Sequence, residues 1–452
     1  MDTIIALATP PGRSAIAVIR LSGKDALPFA RAILFDDQYS PTPGHAALKE
    51  IRDPSSGGLI DQSLVSYFHA PHSFTGEDVI EISCHGSPIV VRQVIDILLQ
   101  RGARLAGPGE FTLRALAAGK MNLSQAEAIR DLINAQTNVA AQQALRQLGG
   151  ELSAKLKPLK DQLVGLIVPL ESAVEFVEDD LPDIETERIK DVLDQLVIAT
   201  ATLAESFSSG HLLRDGVKVS LVGRPNTGKS SLFNELLRVD RAIVTDMPGT
   251  TRDTLSEVVN IKGLPVMLTD TAGVRESSNQ VESIGVERTR RAMADADLLL
   301  VVVDGSVDLT AEDLDFLMLT SRQQRVIALN KSDLPTFRDR LKSDLNIHSR
   351  VVRVSAKNSE GLEDLREAIL EPFVSLSSNE GGLLITDARH YDLLCRTHAE
   401  LESSRATIEA GASEELVLVG LHNALRFLGE ITGETTTEDV LSRIFSTFCI
   451  GK

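Results

Sequence analysis

Four short stretches in the second half of the chain carry residue types suited to phosphate and base chemistry. Gly223 to Ser230 reads GRPNTGKS, a G-x-x-x-x-G-K-S pattern lying between an apolar run, VKVSLVG, and an amphipathic one, SLFNELL. In that setting the N–H groups of a glycine-rich loop and of a helix start can wrap phosphate oxygens. Asn226, Thr227, Gly228, Lys229, Ser230 and Ser231 are therefore the expected phosphate-side residues. Lys229 would neutralise the outer phosphates, and the Ser230 hydroxyl would reach Mg²⁺. Asp270, Thr271, Ala272 and Gly273 follow the apolar run LPVMLT, which puts a carboxylate near the metal shell and a glycine amide near the γ-phosphate. Asn330, Lys331, Ser332 and Asp333 end the run RVIALN. The Asp333 carboxylate can accept from the ring N–H and exocyclic amine of guanine, a donor pair that adenine lacks. Ser355, Ala356 and Lys357 end VVRVSA and supply backbone donors to the guanine oxygen. Each motif falls at the C-terminal end of a strand-like run, where α/β folds bind nucleotides. The implied ligand is GTP.

The means of hydrolysis are less ordinary. Ras-type proteins place a water-orienting glutamine directly after the D-x-x-G glycine, but here that residue is Val274, which cannot polarise water. Charge stabilisation must come from a monovalent cation or a partner. Asn226 can offer a carbonyl oxygen to a cation. The loop VTDMPGTTRDT, which contains Thr245, Asp246, Met247, Pro248, Gly249, Thr250 and Thr251, is rich in oxygen ligands. Thr251 is positioned to complete the Mg²⁺ shell. Glu282 in VRESSNQVESIG is a candidate water-positioner; a solvated glutamate opening a helix is its plainer reading. Arg252 and Arg275 are also carried as catalytic candidates, although neither is identifiable as an arginine finger from sequence.

These residues need elements to hold them. The 452-residue length points to about three domains. Residues 1–118 mix β-branched runs (TIIALA, AIAVIRLSG, DVIEISCHG) with turn signals, which predicts an α/β domain. Residues 119–210 turn to helical spacing, with Ser124 and Glu127 as a capping-box signature. Residues 211–380 alternate strand and helix runs, the pattern of a mostly parallel sheet covered on both faces. Residues 381–452 return to helices. The economical arrangement is one helical domain in two halves with a nucleotide-binding α/β domain inserted.

Composition narrows the class. With 64 acidic and 46 basic residues the net charge is -18, which argues against coating nucleic acid by bulk charge. The three cysteines, Cys84, Cys395 and Cys449, form no disulfide framework and suit a reducing compartment. Asp2 stands where a signal peptide would be positive, and the richest apolar run, DLLLVVVDG, is too short to span a membrane. A soluble cytoplasmic protein is expected. His69, His72, Cys84 and His85 are ligand types without an established zinc spacing. Cys395 reads as core packing on an apolar helical face.

Beyond these residues, the chain resembles the tRNA-modification GTPase family called MnmE or TrmE, nearly end to end. The likeness is carried by TPPGRSAIAVIRLSG, SFTGEDVIEISCHG, PGEFTLRALAAGKMNLSQAEAI, GRPNTGKSSL, TDMPGTTRD, DTAGVRE, NKSD and ITGETTTEDVLSRIFSTFCIGK. One small departure is Ser87 in CHGSP, where glycine is expected. The resemblance implies an N-terminal folate-binding, dimerising domain, a discontinuous helical domain and an inserted Ras-like P-loop GTPase that dimerises across K⁺. It implies that Asn226, Thr245, Met247 and Thr250 hold K⁺, and that Glu282 orients the attacking water through an intervening water. It assigns tetrahydrofolate, as a 5-formyl or 5,10-methylene derivative, to Arg20, Glu81, Lys120 and Lys452. Cations at Arg20 and Lys120 suit an anionic folate tail, although without the resemblance ordinary surface charge is the favoured reading. It implies a homodimer working with a flavin-containing partner, MnmG. Together they would build an aminomethyl or carboxymethylaminomethyl group on C5 of the wobble uridine of certain tRNAs, with the partner expected to supply much of the RNA binding. A GTP switch that binds RNA or ribosomes without modification chemistry is the alternative, and a GTP-regulated, folate-dependent methyltransferase is a weaker one.

The last five residues, FCIGK, have the outline of a prenylation box, but Lys452 is not a usual terminal residue and no polybasic stretch precedes them. TTTEDVLSRIFSTF reads instead as a closing helix with threonine caps and acids in its first turn. By the resemblance it delivers Lys452 to the folate pocket, which makes Cys449 a candidate reactive thiol beside a plain structural reading.

Overall fold

The computed structural model describes residues 2–175, 186–240, 255–270, 292–339, 349–376 and 382–451. The chain forms two compact units: Met1–Arg130 with Leu148–Ser153 and Leu428–Lys452, and Asp131–Gln147 with Ala154–Phe427. Among the described residues no helix is long and apolar enough to cross a membrane.

The first unit is built on a six-stranded sheet in the order β3-β4-β5-β2-β1-β6. Its strands are β1 (Ile4–Leu7), β2 (Ile16–Ser22), β3 (Ala46–Arg52), β4 (Leu59–Phe68), β5 (Val79–His85) and β6 (Arg104–Leu105). All neighbours are antiparallel except β1 and β6. Alternate residues of β2 and β5 (Ala17, Ile19, Leu21; Ile80, Ile82, Cys84) share a core with α1 (Ala26–Leu34) and α2 (Pro88–Gln100). The period of two leaves Arg20 and Glu81 on the other face, where they are cross-strand partners.

The chain's C-terminus is packed onto this unit. Phe445 and Phe448 bury against Leu123 and Ala126 of α4 (Leu123–Asn134), which follows α3 (Glu110–Ala117). Arg130 donates to Thr447 Oγ1 at 2.9 Å, with its guanidinium 5.7 Å from the Phe448 ring centre. Two glycines permit the approach. A Cβ on Gly109 (φ +64°) would lie 2.9 Å from Phe445 and Phe448 atoms, and one on Gly451 (φ +97°) 2.4 Å from the Leu7 carbonyl.

The expected caps shift. The helix expected to start at Ser124 is capped by Asn122 instead. Asn122 Oδ1 accepts from Gln125 N, and Gln125 Oε1 accepts from Asn122 N, each at 3.0 Å. Asparagine caps as well as serine does, and glutamine supplies the return bond. The closing helix is present as Glu438–Phe445 with Glu438 and Asp439 in its first turn, but its N-cap residue, Thr437, makes no side-chain capping bond.

The second unit holds a six-stranded sheet in the order β12-β11-β10-β7-β9-β8. Its strands are β7 (Val217–Val222), β8 (Leu255–Ile261), β9 (Leu264–Asp270), β10 (Leu298–Asp304), β11 (Arg325–Asn330) and β12 (Arg350–Arg353). Only β8 is antiparallel to its neighbour. Every residue of β10 is buried, as a central strand covered on both faces requires. The unit's helices include α5 (Asn138–Leu148), α6 (Glu151–Glu175), α7 (Thr186–Glu205), α8 (Phe207–Asp215), α9 (Lys229–Asp240), α10 (Ala311–Leu319), α11 (Leu362–Leu370), α12 (Ala388–Glu409) and α13 (Glu414–Thr432). Helices α7 and α12 pack along one another, flanking the sheet segment in sequence.

The chain enters this sheet from α8 and leaves it towards α12, and the two crossings are bound together. Arg214 Nη1 donates to Asp387 Oδ2 at 2.7 Å, and Arg214 Nε lies 3.2 Å from Asp131 Oδ1. Ser206 Oγ accepts from Ile385 N at 3.1 Å, and a Cβ on Gly210 would strike the Ile385 carbonyl at 2.1 Å. Burial pushes the Asp387 carboxyl up, but His390 and Arg214 prevail and hold it well below the usual carboxylate range.

Replacing Arg214 with alanine would leave Asp387 buried beside Asp131, and should cost about 3–5 kcal/mol in urea unfolding near neutral pH. Because the folded-state pKa of Asp387 is depressed, its stabilisation is complete above the ordinary carboxylate value of about 4 and is lost as pH falls below it. That acid dependence should shrink in Arg214→Ala. A variant as stable as the parent at neutral pH and equally acid-sensitive would show that the pair contributes nothing.

Candidate functional site

The phosphate loop leaves the end of β7 flush against β10, since a Cβ on Gly223 (φ +142°) would meet the Val302 carbonyl at 2.4 Å. Asn226 (φ +65°) and Gly228 (φ +94°) take left-handed backbone, the kind of turn from which loop N–H groups can bind an anion. Lys229 opens α9 and is buried, and its Nζ donates to the carbonyls of Gly223 at 2.7 Å and Arg224 at 2.8 Å. An ammonium has three donors, so one remains for a phosphate oxygen. Burial lowers the Lys229 pKa, opposed by the charges of Asp270 and Glu312. Thr227 Oγ1 closes the loop on the Arg224 carbonyl at 3.1 Å. Ser230 Oγ donates to Asp270 Oδ2 at 2.8 Å, bringing an exposed hydroxyl onto a carboxylate at the end of β9 that is 1% exposed. A hydroxyl and a carboxylate at hydrogen-bond distance are the hard oxygen donors that Mg²⁺ takes. Ser231 lies exposed on α9.

The base side is tied to the phosphate side by one carboxamide. Asn330 Nδ2 donates to the Thr227 carbonyl at 2.9 Å, and its Oδ1 accepts from Ala356 N at 3.1 Å. A Cβ on Gly228 would lie 2.3 Å from that Nδ2, so the approach needs glycine. Lys331 (φ +66°) donates to Asp304 Oδ2 at 2.6 Å and to the Asn226 carbonyl at 3.1 Å. Burial raises the Asp304 pKa, yet bonds from Lys331 and Ser306 win and hold it below the ordinary range. Asp333 Oδ1 accepts from Ser355 Oγ at 2.7 Å, and Ser355 Oγ accepts from Asn358 N at 3.1 Å. Lys357 is exposed beside them. The structure thus gathers Asn226, Thr227, Gly228, Lys229, Ser230, Asp270, Asn330, Lys331, Asp333, Ser355 and Ala356 at one edge of the sheet.

On the other unit, Arg20 Nη2 and Nε lie 2.7 and 2.8 Å from Glu81 Oε1. Arg20 Nη1 donates to the Gly451 carbonyl at 3.3 Å. The guanidinium stands 5.8 Å from the Phe74 ring centre and 5.7 Å from that of Phe111. Lys120 is exposed and borders the same loop, where a Cβ on Gly76 would lie 3.4 Å from its Cε. Ile450 bridges Pro108, and the Cys449 carbonyl accepts from Gly109 N at 3.4 Å, leaving Cys449 exposed.

Several expectations lie outside the described residues: Thr245, Asp246, Met247, Pro248, Gly249, Thr250, Thr251, Arg252, Thr271, Ala272, Gly273, Arg275, Glu282 and Lys452. The histidine set is dispersed into pairs. His69 Nδ1 meets Tyr67 OH at 2.7 Å and Asp78 at 2.9 Å, while His85 Nδ1 meets Asp61 at 2.7 Å. Cys84 is buried, and burial pushes its thiol up to about 11. Among the described residues no cluster of histidine, cysteine or carboxylate is arranged to hold a metal. Cys395 is half-buried rather than sealed in a core. Sequence reasoning missed Asp304, Phe74 and Phe111. Asp304 was findable as an acid ending an apolar strand in register with Asn330; the aromatic rings meet Arg20 only through the fold.

Comparison with known proteins adds the following. The family profile described as MnmE helical domain matches residues 123–449, and that described as GTP-binding protein TrmE N-terminus matches residues 3–120. The chain is 44% identical over 457 residues to a protein named tRNA modification GTPase MnmE from Koribacter versatilis (strain Ellin345), covering 100% of this chain and 99% of the relative. It is 42% identical over 452 residues to one of the same name from Aquifex aeolicus (strain VF5), covering 100% of both. Among solved structures, the G domain of the T. maritima FeoB iron transporter matches 34% of this chain and 97% of its own length at 31% identity. Its TM-score, 0.28, is too low to carry an argument.

If Asp333 reads guanine, Asp333→Asn should weaken GTP binding by roughly 100-fold while favouring xanthosine triphosphate, whose 2-oxo group accepts where guanine donates. Titration with both nucleotides checks this; an unchanged preference for GTP would remove Asp333 from base recognition.

Proposed function

The chain belongs to the MnmE family of tRNA modification GTPases, and from that premise we propose that K⁺ supports its GTP hydrolysis in the modification of wobble uridines. It is a GTPase, and GTP with Mg²⁺ belongs to that activity. In the proposed reading, Lys229, Ser230 and Asp270 handle the phosphates and Mg²⁺ with Thr251, while Asn330, Lys331, Asp333 and Ser355 to Lys357 take the guanine. A K⁺ held by Asn226, Thr245, Met247 and Thr250 supplies the positive charge of an arginine finger, and Glu282 takes the water-orienting role that Val274 cannot. Arg252 and Arg275 remain secondary candidates. Asn226 fits this role in being exposed within the phosphate loop.

The modification half of the reading is carried by one observation. Arg20 bonds both Glu81 and the Gly451 carbonyl, so the segment that bears Cys449 ends at that ion pair. The residues there fit a tetrahydrofolate derivative: the exposed Phe74 offers an aromatic face, Phe111 is buried beneath Arg20, Glu81 accepts ring N–H groups, and Arg20, Lys120 and Lys452 suit its carboxylates. When bound, the folate would supply the one-carbon unit. The chain acts in the cytoplasm as a homodimer with flavin-containing MnmG and tRNA, forming the 5-carboxymethylaminomethyl or aminomethyl group. Its segments are 1–118 for folate and dimerisation, 119–210 and 381–452 as the helical domain, and 211–380 as the GTPase.

GTP turnover should be roughly 10-fold or more faster in K⁺ than in Na⁺, as expected when a cation replaces an arginine finger. Equal rates in the two salts would sink the potassium part. Reconstitution with tRNA, MnmG, folate and GTP, read by mass analysis of the wobble nucleoside, tests the modification. Cys449→Ser should lose the product while sparing GTP hydrolysis, whereas full product would return Cys449 to a structural role. No modified nucleoside from the complete wild-type mixture would favour the GTP-switch alternative.

A further inference from the structure

The phosphate loop has a second anchor, on the helix that follows β10. Arg224 lies within the loop, and its Nε donates to both carboxylate oxygens of Asp313, each at 2.9 Å. Asp313 is 3% exposed. The same carboxylate accepts from Thr310 N at 3.0 Å and Thr310 Oγ1 at 2.8 Å, closing the capping box of α10. A buried carboxylate held by so many donors is a fixed point on a rigid helix. The Arg224 carbonyl is in turn the acceptor of Lys229 Nζ and of Thr227 Oγ1.

We propose that Asp313 is a positioning residue for GTP, holding Arg224 by its side chain so that the Arg224 carbonyl presents Lys229 to the phosphates. The inference rests on the reading of residues 223–230 as the phosphate loop and adds an outside strut to it. Lys229 has a four-carbon stem with several rotatable bonds, and a free ammonium would sample many positions. Two carbonyls restrict it to one, and only one of those carbonyls, Arg224's, belongs to a residue whose side chain is tethered outside the loop. Without the tether the peptide between Arg224 and Pro225 can rotate, releasing Lys229 from one of its two acceptors. The contact is made to ground state and transition state alike, so its loss should appear in GTP binding more than in turnover. Asp313 touches no substrate and acts through Arg224.

The test uses the full chain and GTP. Asp313→Asn and Arg224→Gln should each raise the KM for GTP about 10-fold, the scale of one charge-assisted hydrogen bond, with kcat little changed. The double variant should be no worse than either single one, because both break one link. Thr310→Ala removes a cap donor while keeping the Arg224 pair; it should lower thermal stability without moving KM. Arg224→Gln leaves the cap intact, so it remains informative if Asp313→Asn folds poorly. KM within about twofold of the parent in Arg224→Gln, or additive losses in the double variant, would overturn the proposal. Lys229→Ala in the same assay separates the two readings. If it binds GTP normally, the phosphate-loop reading itself fails; if it does not while Arg224→Gln does, only the strut fails.

Discussion

The Asn330 carboxamide is the joint on which the nucleotide site depends. It has one donor end and one acceptor end used by different loops, the Thr227 carbonyl of the phosphate loop and the Ala356 amide of the base loop. Those loops are 129 residues apart at Thr227 and Ala356, but the sheet sets their strands, β7 and β12, three places apart. A single buried amide can therefore keep phosphate and base contacts at a fixed separation. The glycine opposite it, Gly228, is the condition for this: any side chain there would occupy the space of the amide nitrogen. Lys331 repeats the link in charged form between Asp304 and the Asn226 carbonyl. Both bridges start from the ends of adjacent strands, β10 and β11, whose residues Asp304 and Asn330 are in register.

The first unit solves a related problem by a different route. The Arg20 cluster joins residues from β2, β5 and the end of the chain, which no short loop can bring together. Hydrophobic burial of Phe445 and Phe448 fixes the closing helix, and Gly109 and Gly451 allow backbone to lie on backbone. Arg20 then finds the Gly451 carbonyl as a further acceptor while still paired with Glu81. An aromatic anchor on a short helix positions the tail more firmly than the polar contacts at its tip could, since those compete with water.

Much of this was legible in the sequence, for identifiable reasons. Strands β7, β9, β10 and β11 read clearly because buried parallel strands are nearly continuous apolar runs bounded by motif residues. Strands β3 and β4 did not, since AALKEIR and LIDQSLVSYF expose much of their length and mix charges with apolar residues. The cap of α4 was misplaced by two residues because serine and asparagine are near-equal caps and local sequence does not choose between them. Asp333 and Lys229 were readable by type and Arg20 only through the family resemblance, whereas the Asp313 anchor was not readable at all. It joins positions 89 residues apart, and its aspartate reads from sequence as an ordinary first-turn acid.

Strand β9 shows how the nucleotide site and the crossing points share one element. Its last residue, Asp270, meets Ser230 at the phosphate side. At its other end the Pro265 carbonyl lies 2.9 Å from where a Cβ on Gly216 would stand, and Gly216 caps α8, the entry helix. The turn before it, Gly263, comes as close to Val139 of α5. A seven-residue strand spans roughly 20 Å and does not stretch, so a displacement at one end must be answered at the other. Transmission along such a rod requires that both ends be held, and here they are, by a hydroxyl–carboxylate bond at one end and close backbone packing at the other. Arg214, one residue before Asp215 at the end of α8, carries the same constraint into Asp131 and Asp387. Asp270 and the ion cluster at the crossings are thus connected through strand β9 and helix α8.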